Sequence, residues 1–350
     1  MNEASAVTRT SAGTPESPVP TIDDLEVVVV SYRSRHHVET LLTGWPHNLT
    51  VAVVDNSADV DGIAELADRF PNVRYLSGGG QGFARAANLG AFSSDKPYVV
   101  FVNPDCRPSP EQLVALVRGI AADGGAISHA ATPITPHGGI EIGVGGWEPS
   151  VGRALVHASG LHKFFPRAGL YAHPRVGEHV KVDWVTGTCL AVRRGPFREL
   201  GGFDDAFFVY SEDVAFGHRA RKNGWRIRLR EDVLVPHGTG SSGAPSSEMR
   251  RLQGASFTTY TSRYSGSAAR GVAIRALYVM GASWRVVVLT LAGRRERATA
   301  TRNIIRGVVT HKAFVGGTEV ARARANEVDH VVPGSAGDEG RPGLSRRRGR

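Results

Sequence analysis

The chain has 350 residues, 41% apolar and 21% charged, the balance of a soluble globular protein with one large domain and an appendage. Its two cysteines, Cys106 and Cys189, argue against a disulfide framework and for a reducing compartment, and neither has a partner at metal-binding spacing. A net charge of +9 calls for an anionic partner, with nucleic acid, acidic lipid and a phosphorylated substrate left open by charge alone.

Residues 1–22 are expected to be a disordered lead-in, because the start is rich in Ser, Thr, Ala and Pro and lacks the apolar centre of a signal peptide. No apolar run is read as long enough to span a bilayer. A buried-strand pattern at 25–30 ends in Ser31 and Tyr32, and a helix follows with Val38, Leu41 and Leu42 on one face and Ser34 as its N-cap. A strand at 51–54 ends in Asp55, Asn56 and Ser57; a helix carries Ile63, Leu66, Ala67 and Phe70. A third strand at 73–76 and an Ala-rich helix at 83–92 come next. The fourth strand is the apolar run Tyr98, Val99, Val100, Phe101 and Val102, which stops at Asn103, Pro104 and Asp105.

This alternation predicts a parallel sheet covered on both faces, with right-handed crossovers. Ser109 and Gln112 have capping-box spacing, Pro110 suits the first helical position, and Leu113, Leu116, Val117 and Ile120 line one face of the helix. After a strand near 126–128, residues 133–160 read as a Gly-rich mobile flap. Order returns with Asp183 and Trp184, a strand at 188–192, and a helix capped by Ser211 that opens with Glu212 and Asp213 and stops at Asn223 and Gly224. Arg226, Arg228 and Arg230 alternate with Ile227 and Leu229 in a half-exposed strand, and Val233 to Val235 lead to His237. Beyond about residue 253 the pattern is helical and basic.

Chemistry is concentrated at strand ends, where open α/β sheets bind ligands. Asn103 and Asp105 have the groups to hold a divalent metal against a phosphate, and Asp55 has acceptors for a base or ribose. Asn, Pro and Asp are also ordinary turn formers. Gly78, Gly79, Gly80 and Gly82 lie between a strand and a helix start, where backbone N–H groups approach phosphates, with Arg85 and Asn88 one turn further on. Acidic residues in a helix's first turn need no function, since the macrodipole stabilises them. Glu212 and Asp213, however, follow the aromatic residues Phe207, Phe208 and Tyr210, where desolvation would make a carboxylate more basic.

Taken in order, Val30-Ser31-Tyr32, Asp55-Asn56-Ser57, Gly82-Phe83 with Asn88 and Gly90, Asn103-Pro104-Asp105, Thr186-Gly187, Gly201-Gly202-Phe203-Asp204, Tyr210 with Glu212 and Asp213, Arg219, Gly224 and His237 resemble the inverting GT-A glycosyltransferases of family 2. Within that family they resemble bacterial rhamnosyltransferases acting on polyprenyl-linked sugars. The resemblance covers about residues 26–240. It implies an α/β fold of the Rossmann-like GT-A kind, with a mostly parallel central sheet and helices on both faces, in a domain at 23–245. Its nucleotide-sugar half would be about 23–130 and its acceptor half about 131–245, followed by a basic amphipathic helical extension at 246–327 and a disordered tail at 328–350.

By the same resemblance, L-rhamnose would pass from dTDP-L-rhamnose to a polyprenyl-diphosphate-linked N-acetylglucosamine in cell-wall arabinogalactan linker assembly. Asp213 would be the catalytic base. Ser31, Tyr32, Asp55, Ser57, Gly82, Arg85, Asn88, Asn103 and Asp105 would bind the nucleotide sugar; Trp184, Gly187, Thr188 and Glu212 would bind the acceptor; Asp105 and His237 would hold Mg²⁺ or Mn²⁺. The family's frequent Asn two residues before the glycine of the helix start is Gly80 here. The implied partners are the donor, the lipid-linked acceptor and an anionic membrane surface, with no nucleic acid, for a cytoplasmic protein peripheral on the inner face of the cell membrane. The alternatives are a family 2 transferase using another nucleotide sugar or acceptor for polysaccharide synthesis, a nucleotidyltransferase, which would carry a Gly-rich basic signature in place of Val30-Ser31-Tyr32-Arg33, and an inactive binder of lipid-linked sugars.

Overall fold

Runs of β-branched and aromatic residues suit a pleated, buried sheet, and here they build one of seven strands. The computed structural model describes residues 18–141, 143–178, 180–238 and 246–311. In chain order the strands are β1 (Leu25–Ser31), β2 (Thr50–Asp55), β3 (Val73–Ser77), β4 (Tyr98–Val102), β5 (Ala126–Ile134), β6 (Gly145–Gly146), β7 (Trp184–Val185), β8 (Cys189–Arg193) and β9 (Arg226–Pro236). The sheet runs β3-β2-β1-β4-β8-β5-β9, and β6 pairs with β7 apart from it. All neighbours in the large sheet are parallel except at β8, which is antiparallel to both β4 and β5.

The pleat decides which face each side chain covers. Val28, Ala52, Val54, Val99 and Phe101 point to one core, and Val27, Val29, Val51, Val53 and Val100 to the other. On the second face lie α1 (Arg35–Gly44), α2 (Ile63–Asp68) and α4 (Pro110–Ala122); on the first lie α3 (Phe83–Ser93), α6 (Arg194–Glu199) and α7 (Glu212–Lys222). The capping box at Ser109 and Gln112 forms as expected. Ser34 sits at the N-cap of α1 but makes no capping bond, because its hydroxyl is shared with Ser31 Oγ at 2.9 Å. Ser211 is no cap either: its φ of 67° is left-handed and its side chain takes no helix N–H.

Three further expectations change. The segment read as a flap contains α5 (Val151–Ala158), whose N-cap Ser150 accepts from Arg153 N. Of the lead-in, residues 1–17 lie outside the described residues, but 18–22 are placed, with a capping box at Thr21 and Pro20 O accepting from Arg118 Nε at 2.9 Å. The basic extension forms α8 (Ser246–Tyr264), α9 (Ala268–Leu291) and α10 (Arg295–Thr310), while its end at 312–327 and the tail at 328–350 lie outside the described residues. At 24 residues, with an 18-residue window of mean hydropathy 1.6, α9 is long and apolar enough to cross a membrane, which corrects the view that no run is. The extension docks beside the start of α7: Ser256 Oγ donates to Val209 O at 2.7 Å, and Tyr260 packs with Phe207 and Ala215.

Candidate active site

Strand β4 delivers its exit turn to the edge shared with β8, where Asn103 N donates to Thr188 O at 2.9 Å. Asp105 is carried one step further, and the end of β9 comes alongside: Arg107 N donates to Pro236 O and Gly238 N to Asp105 O. These bonds bring Asp105 Oδ1 to 3.1 Å from His237 Nε2, with both side chains largely buried. On the far side of the imidazole, Nδ1 lies 2.8 Å from Glu141 Oε2. Burial alone would lower the His237 pKa, yet Asp105 and Glu141 outweigh it and hold it above the ordinary value.

Glu141 was not foreseen from the sequence. It arrives because the chain folds back after β5, with Ile140 bridging to Ile134 and Glu141 N donating to Pro133 O. Its carboxylate fixes the ring so that Nε2 faces Asp105, the arrangement that orients ligating histidines. Among the described residues no cluster of three protein groups converges on one point. The 3.1 Å between Asp105 Oδ1 and His237 Nε2 does match adjacent ligands of an octahedral ion, since bonds of about 2.1 Å at right angles separate donors by about 3 Å. Two protein donors, with phosphate and water completing the shell, suit Mg²⁺ or Mn²⁺.

Around this edge, Ser31 and Asp55 sit side by side at the ends of β1 and β2. Asp55 is fully buried, and its carboxylate organises the exit turn by accepting from Ser57 N at 2.9 Å, from Ser57 Oγ at 2.7 Å and from Asp59 N. Tyr32 follows Ser31 and is half-buried. In the β3–α3 turn Gly79, Gly80 and Gly82 all have left-handed φ, and a Cβ on Gly82 would collide with Phe208. Phe83 N then donates to Phe208 O at 2.6 Å, tying this turn to the aromatic run before α7. Gly80, at φ 72°, is in the left-handed region, which among other residues Asn tolerates best.

Asn88 is a correction. Its Nδ2 donates to Phe203 O at 2.8 Å and to Asp205 Oδ1 at 3.0 Å, and its Oδ1 accepts from Phe203 N. With both N–H groups used, it clamps the 203–205 loop and has no donor left for a diphosphate. Arg85 Nε lies 4.0 Å from Asp205 Oδ2 above the same loop and is part-exposed.

The second carboxylate site is at the start of α7. Tyr210 and Ser211 are both left-handed, with φ 69° and 67°, a conformation that costs non-glycine residues on the order of 1–3 kcal/mol each. That kink presents Glu212 and Asp213. Asp213 Oδ1 accepts from Val214 N at 2.8 Å, no cation pairs with it among the described residues, and burial pushes its pKa up to about 6. Glu212 is buried, and burial followed by the neighbouring Asp213 charge raises its pKa well above the usual carboxylate range. Trp184, expected to meet acceptor, is itself buried behind this site: its Nε1 donates to Trp147 O, and Gly217 of α7 packs on it. It is a wall behind the start of α7, with Tyr171 set edge-on against it at 6.1 Å. Gly187 lies against the Phe83 ring, and Thr188 joins the Asn103 turn through its carbonyl. The Glu148 carboxylate, also unforeseen, binds Arg221 Nη2 and His218 Nδ1 at 2.6 Å each and so pins the α5 segment to α7.

The glycosyl transferase family 2 sequence model matches residues 23–201. An N-acetylglucosaminyl-diphospho-decaprenol L-rhamnosyltransferase of Mycobacterium tuberculosis is 31% identical over 269 residues, covering 70% of this chain and 86% of the relative. The rhamnosyltransferase WbbL of Escherichia coli is 22% identical over 213 residues, covering 57% of this chain and 78% of its own. Among solved structures, a mannosyltransferase from Pyrobaculum calidifontis in complex with GDP-Man and Mn²⁺ superposes with a TM-score of 0.54 at 16% identity, over 85% of this chain and 90% of the other.

Proposed function

The chain belongs to glycosyl transferase family 2 and is a glycosyltransferase, and from that premise we propose that it moves L-rhamnose from dTDP-L-rhamnose to a polyprenyl-diphosphate-linked N-acetylglucosamine with inversion. The observation that carries the mechanism is the half-buried Asp213 carboxylate, made basic by burial and left without a cation. It accepts the proton of the acceptor hydroxyl as that oxygen attacks the anomeric carbon. The nucleoside diphosphate departs toward Asn103 and Asp105, so a β-linked donor gives an α-rhamnoside in one displacement without a covalent intermediate. A Mg²⁺ or Mn²⁺ held by Asp105 and His237 would supply charge neutralisation to the departing diphosphate. Ser31, Asp55 and Ser57 line the base end, and Glu212, Gly187 and Thr188 the acceptor end.

The donor and acceptor identities draw on the mycobacterial and enterobacterial relatives. Purified protein incubated with a panel of nucleotide sugars and a polyprenyl-diphosphate N-acetylglucosamine should release nucleoside diphosphate fastest from dTDP-L-rhamnose. Faster release from another sugar would overturn the donor, and release that ignores the lipid-linked acceptor would overturn the acceptor.

The partner membrane is read from α9 and α10. Between residues 250 and 311 the one acid is Glu296, against exposed Arg294, Arg295, Arg297, Arg302 and Arg306. Met280, Trp284, Val287, Val288 and Leu291 form an exposed apolar stripe on α9. The other side of α9 is committed to protein: Gly271 lies on Thr261, Gly281 on Ala158, and Arg275 Nη1 donates to Ser262 Oγ at 2.8 Å. A helix held on one side and apolar on the other lies in the membrane interface and does not cross it. Each basic residue near an anionic surface adds roughly 1 kcal/mol, screened by salt. Full-length protein should float with anionic liposomes, less so in high salt, and Trp284→Glu should weaken flotation.

A further inference from the structure

Around α5 the chain makes a closed excursion. Trp147 N donates to Leu170 O at 3.1 Å and Ala172 N to Gly145 O at 2.8 Å, so residues 148–169 leave and return at one point. Arg153 Nη1 ties the return leg to α5, donating to Arg167 O at 2.8 Å and to Gly169 O at 3.1 Å. Beyond α5 a 3₁₀ turn at Leu161–Lys163 reverses the chain, and Phe164 N and Phe165 N both donate to Leu161 O, at 3.0 and 2.9 Å. The backbone is thus satisfied within the segment, yet the rings are uncovered: Phe164 is 78% and Phe165 62% exposed. Leu161 is exposed too, as are Val151 and Leu155, one turn apart on α5. In residues 23–130 the exposed large apolar side chains are Val60 and Leu89, single residues on separate elements that need no explanation, whereas five lie here between 151 and 165. A groove of about 880 Å³ lies between α5 and the turn, with Val156, Phe164, Phe165 and Pro166 for walls and Arg153 and Arg167 beside them.

Charge and neighbours identify what covers this patch. No acidic residue lies between Glu148 and Glu178, while Arg153, Lys163, Arg167 and Arg175 do. Glu178 pairs with Arg167 at 3.4 Å, and Lys163, beside the phenylalanines, is exposed. Lysine is depleted in protein–protein interfaces, whereas exposed aromatic rings beside basic side chains suit the boundary between headgroups and acyl chains. The patch also meets α9: Gly281 lies on Ala158, the last residue of α5, and the exposed Met280 and Trp284 are next to Gly281 and one turn beyond it. We propose that Phe164 and Phe165 enter an anionic bilayer as an aromatic tip, with Lys163, Arg167 and Arg175 at the headgroups, a second point of membrane contact besides α9. Two points fix orientation as well as attachment. Glu148, at the root of the excursion, holds Arg221 and His218 of α7 at 2.6 Å each, and Asp213 is in the first turn of that helix, so the tip sets the start of α7 relative to the membrane. The insertion stands apart from the α9 reading, and its use in transfer rests on the lipid-linked acceptor reading above.

Cys106 and Cys189 are buried, so a cysteine added at the surface can be labelled by itself with the fluorophore NBD. Full-length Phe164→Cys, Val288→Cys and Val60→Cys proteins are each labelled and mixed with vesicles of equal parts phosphatidylglycerol and phosphatidylcholine. The label at position 164 should shift its emission to the blue and brighten about twofold or more, less so in high salt, and the label at position 60 should not respond. No response at 164, whatever 288 does, would overturn the tip. So would equal responses at 60 and 164, which mean adsorption without insertion, or a change at 164 that follows protein concentration without vesicles, which means that a second copy covers the patch. A response at 164 without one at 288 keeps the tip and counts against α9. The role in transfer is tested with Phe164→Ser and Phe165→Ser combined, which should raise the KM for a polyprenyl-diphosphate acceptor in those vesicles about tenfold or more, and that for a short-chain, water-soluble analogue by less than about twofold. Equal rises for both acceptors would overturn that role, since they mean a damaged site and not a lost membrane contact. The fluorescence measurement involves no sugar, so failure of the proposed donor or acceptor leaves it standing.

Discussion

Two aspartates at the two ends of the active site show how the same side chain is put to opposite uses. Asp105 ends β4 with an imidazole 3.1 Å from its oxygen, and that imidazole is held in turn by Glu141. Asp213 stands at the kinked start of α7 with a single backbone N–H for company and an acidic neighbour, Glu212. A carboxylate with a neighbour that donates or ligates stays ready to hold positive charge. One that is buried without a cation beside it among the described residues gains affinity for a proton, as burial does for Asp213. Changing these neighbours is the direct way to break the comparison.

The largest effect should follow removal of the proton acceptor. Asp213→Asn is expected to lower turnover by about 10²–10⁴-fold with donor binding little changed, measured by steady-state kinetics and by calorimetry with the nucleotide sugar. Turnover near normal would remove Asp213 from the chemistry. Its pH profile follows from the raised pKa of about 6. Below that pH the carboxyl of the free enzyme is protonated and cannot accept, so kcat/KM should fall about tenfold per unit, and above it kcat/KM should level off. A profile flat from pH 5 to 8 would contradict the assignment.

Next comes the other aspartate. Asp105→Ala should weaken nucleoside-diphosphate binding by about tenfold or more in Mg²⁺ or Mn²⁺ and barely at all in EDTA, because its contribution runs through the ion. Equal losses in both media would make Asp105 a structural turn residue. A smaller effect is expected one step away. Glu141→Gln keeps a hydrogen bond to His237 Nδ1 but loses the charge, and should cost about tenfold in metal affinity with little change in EDTA. If affinity is unchanged, the His237 ring is oriented by its backbone bonds alone.

The same comparison explains what was legible. The N-terminal half is written locally: each strand is a short β-branched run, the exits of β1, β2 and β4 are marked by Ser31, Asp55 and Asn103, and the parallel order follows from the alternation. Asp105 and His237 are 132 residues apart, yet both lie beside strand ends, so the doubly wound rule brings them to one edge. The half after β5 depends on contacts that no local period encodes. Glu141 reaches His237 only through a fold-back after β5, and α5 looked like flap because it is only eight residues long, contains Gly152 and lies in a glycine-rich stretch. Asn88 shows the converse error: its spacing from Arg85 fits a phosphate site, but the 203–205 loop claims its amide. The arginines of α9 were visible as charge. Which of them turns to the protein was settled by packing, through Arg275 Nη1 donating to Thr261 Oγ1 and Ser262 Oγ.

The smallest expected effect concerns Gly80, where this chain departs from the resemblance. At φ 72° the residue is in the left-handed region, which costs an ordinary L-residue about 1–2 kcal/mol and Asn less, since its short amide bonds locally. Replacing glycine also removes unfolded-state freedom worth roughly 0.4–1 kcal/mol, which offsets part of the strain. Gly80→Ala should therefore destabilise by about 0.5–1 kcal/mol and lower Tm by about 1–4 °C, whereas Gly80→Asn should leave Tm within about 1 °C. An Asn variant that melts as low as the Ala variant would mean that the turn needs glycine for space and not for conformation. In that case Gly80 would be a true departure at the donor turn and not an equivalent choice.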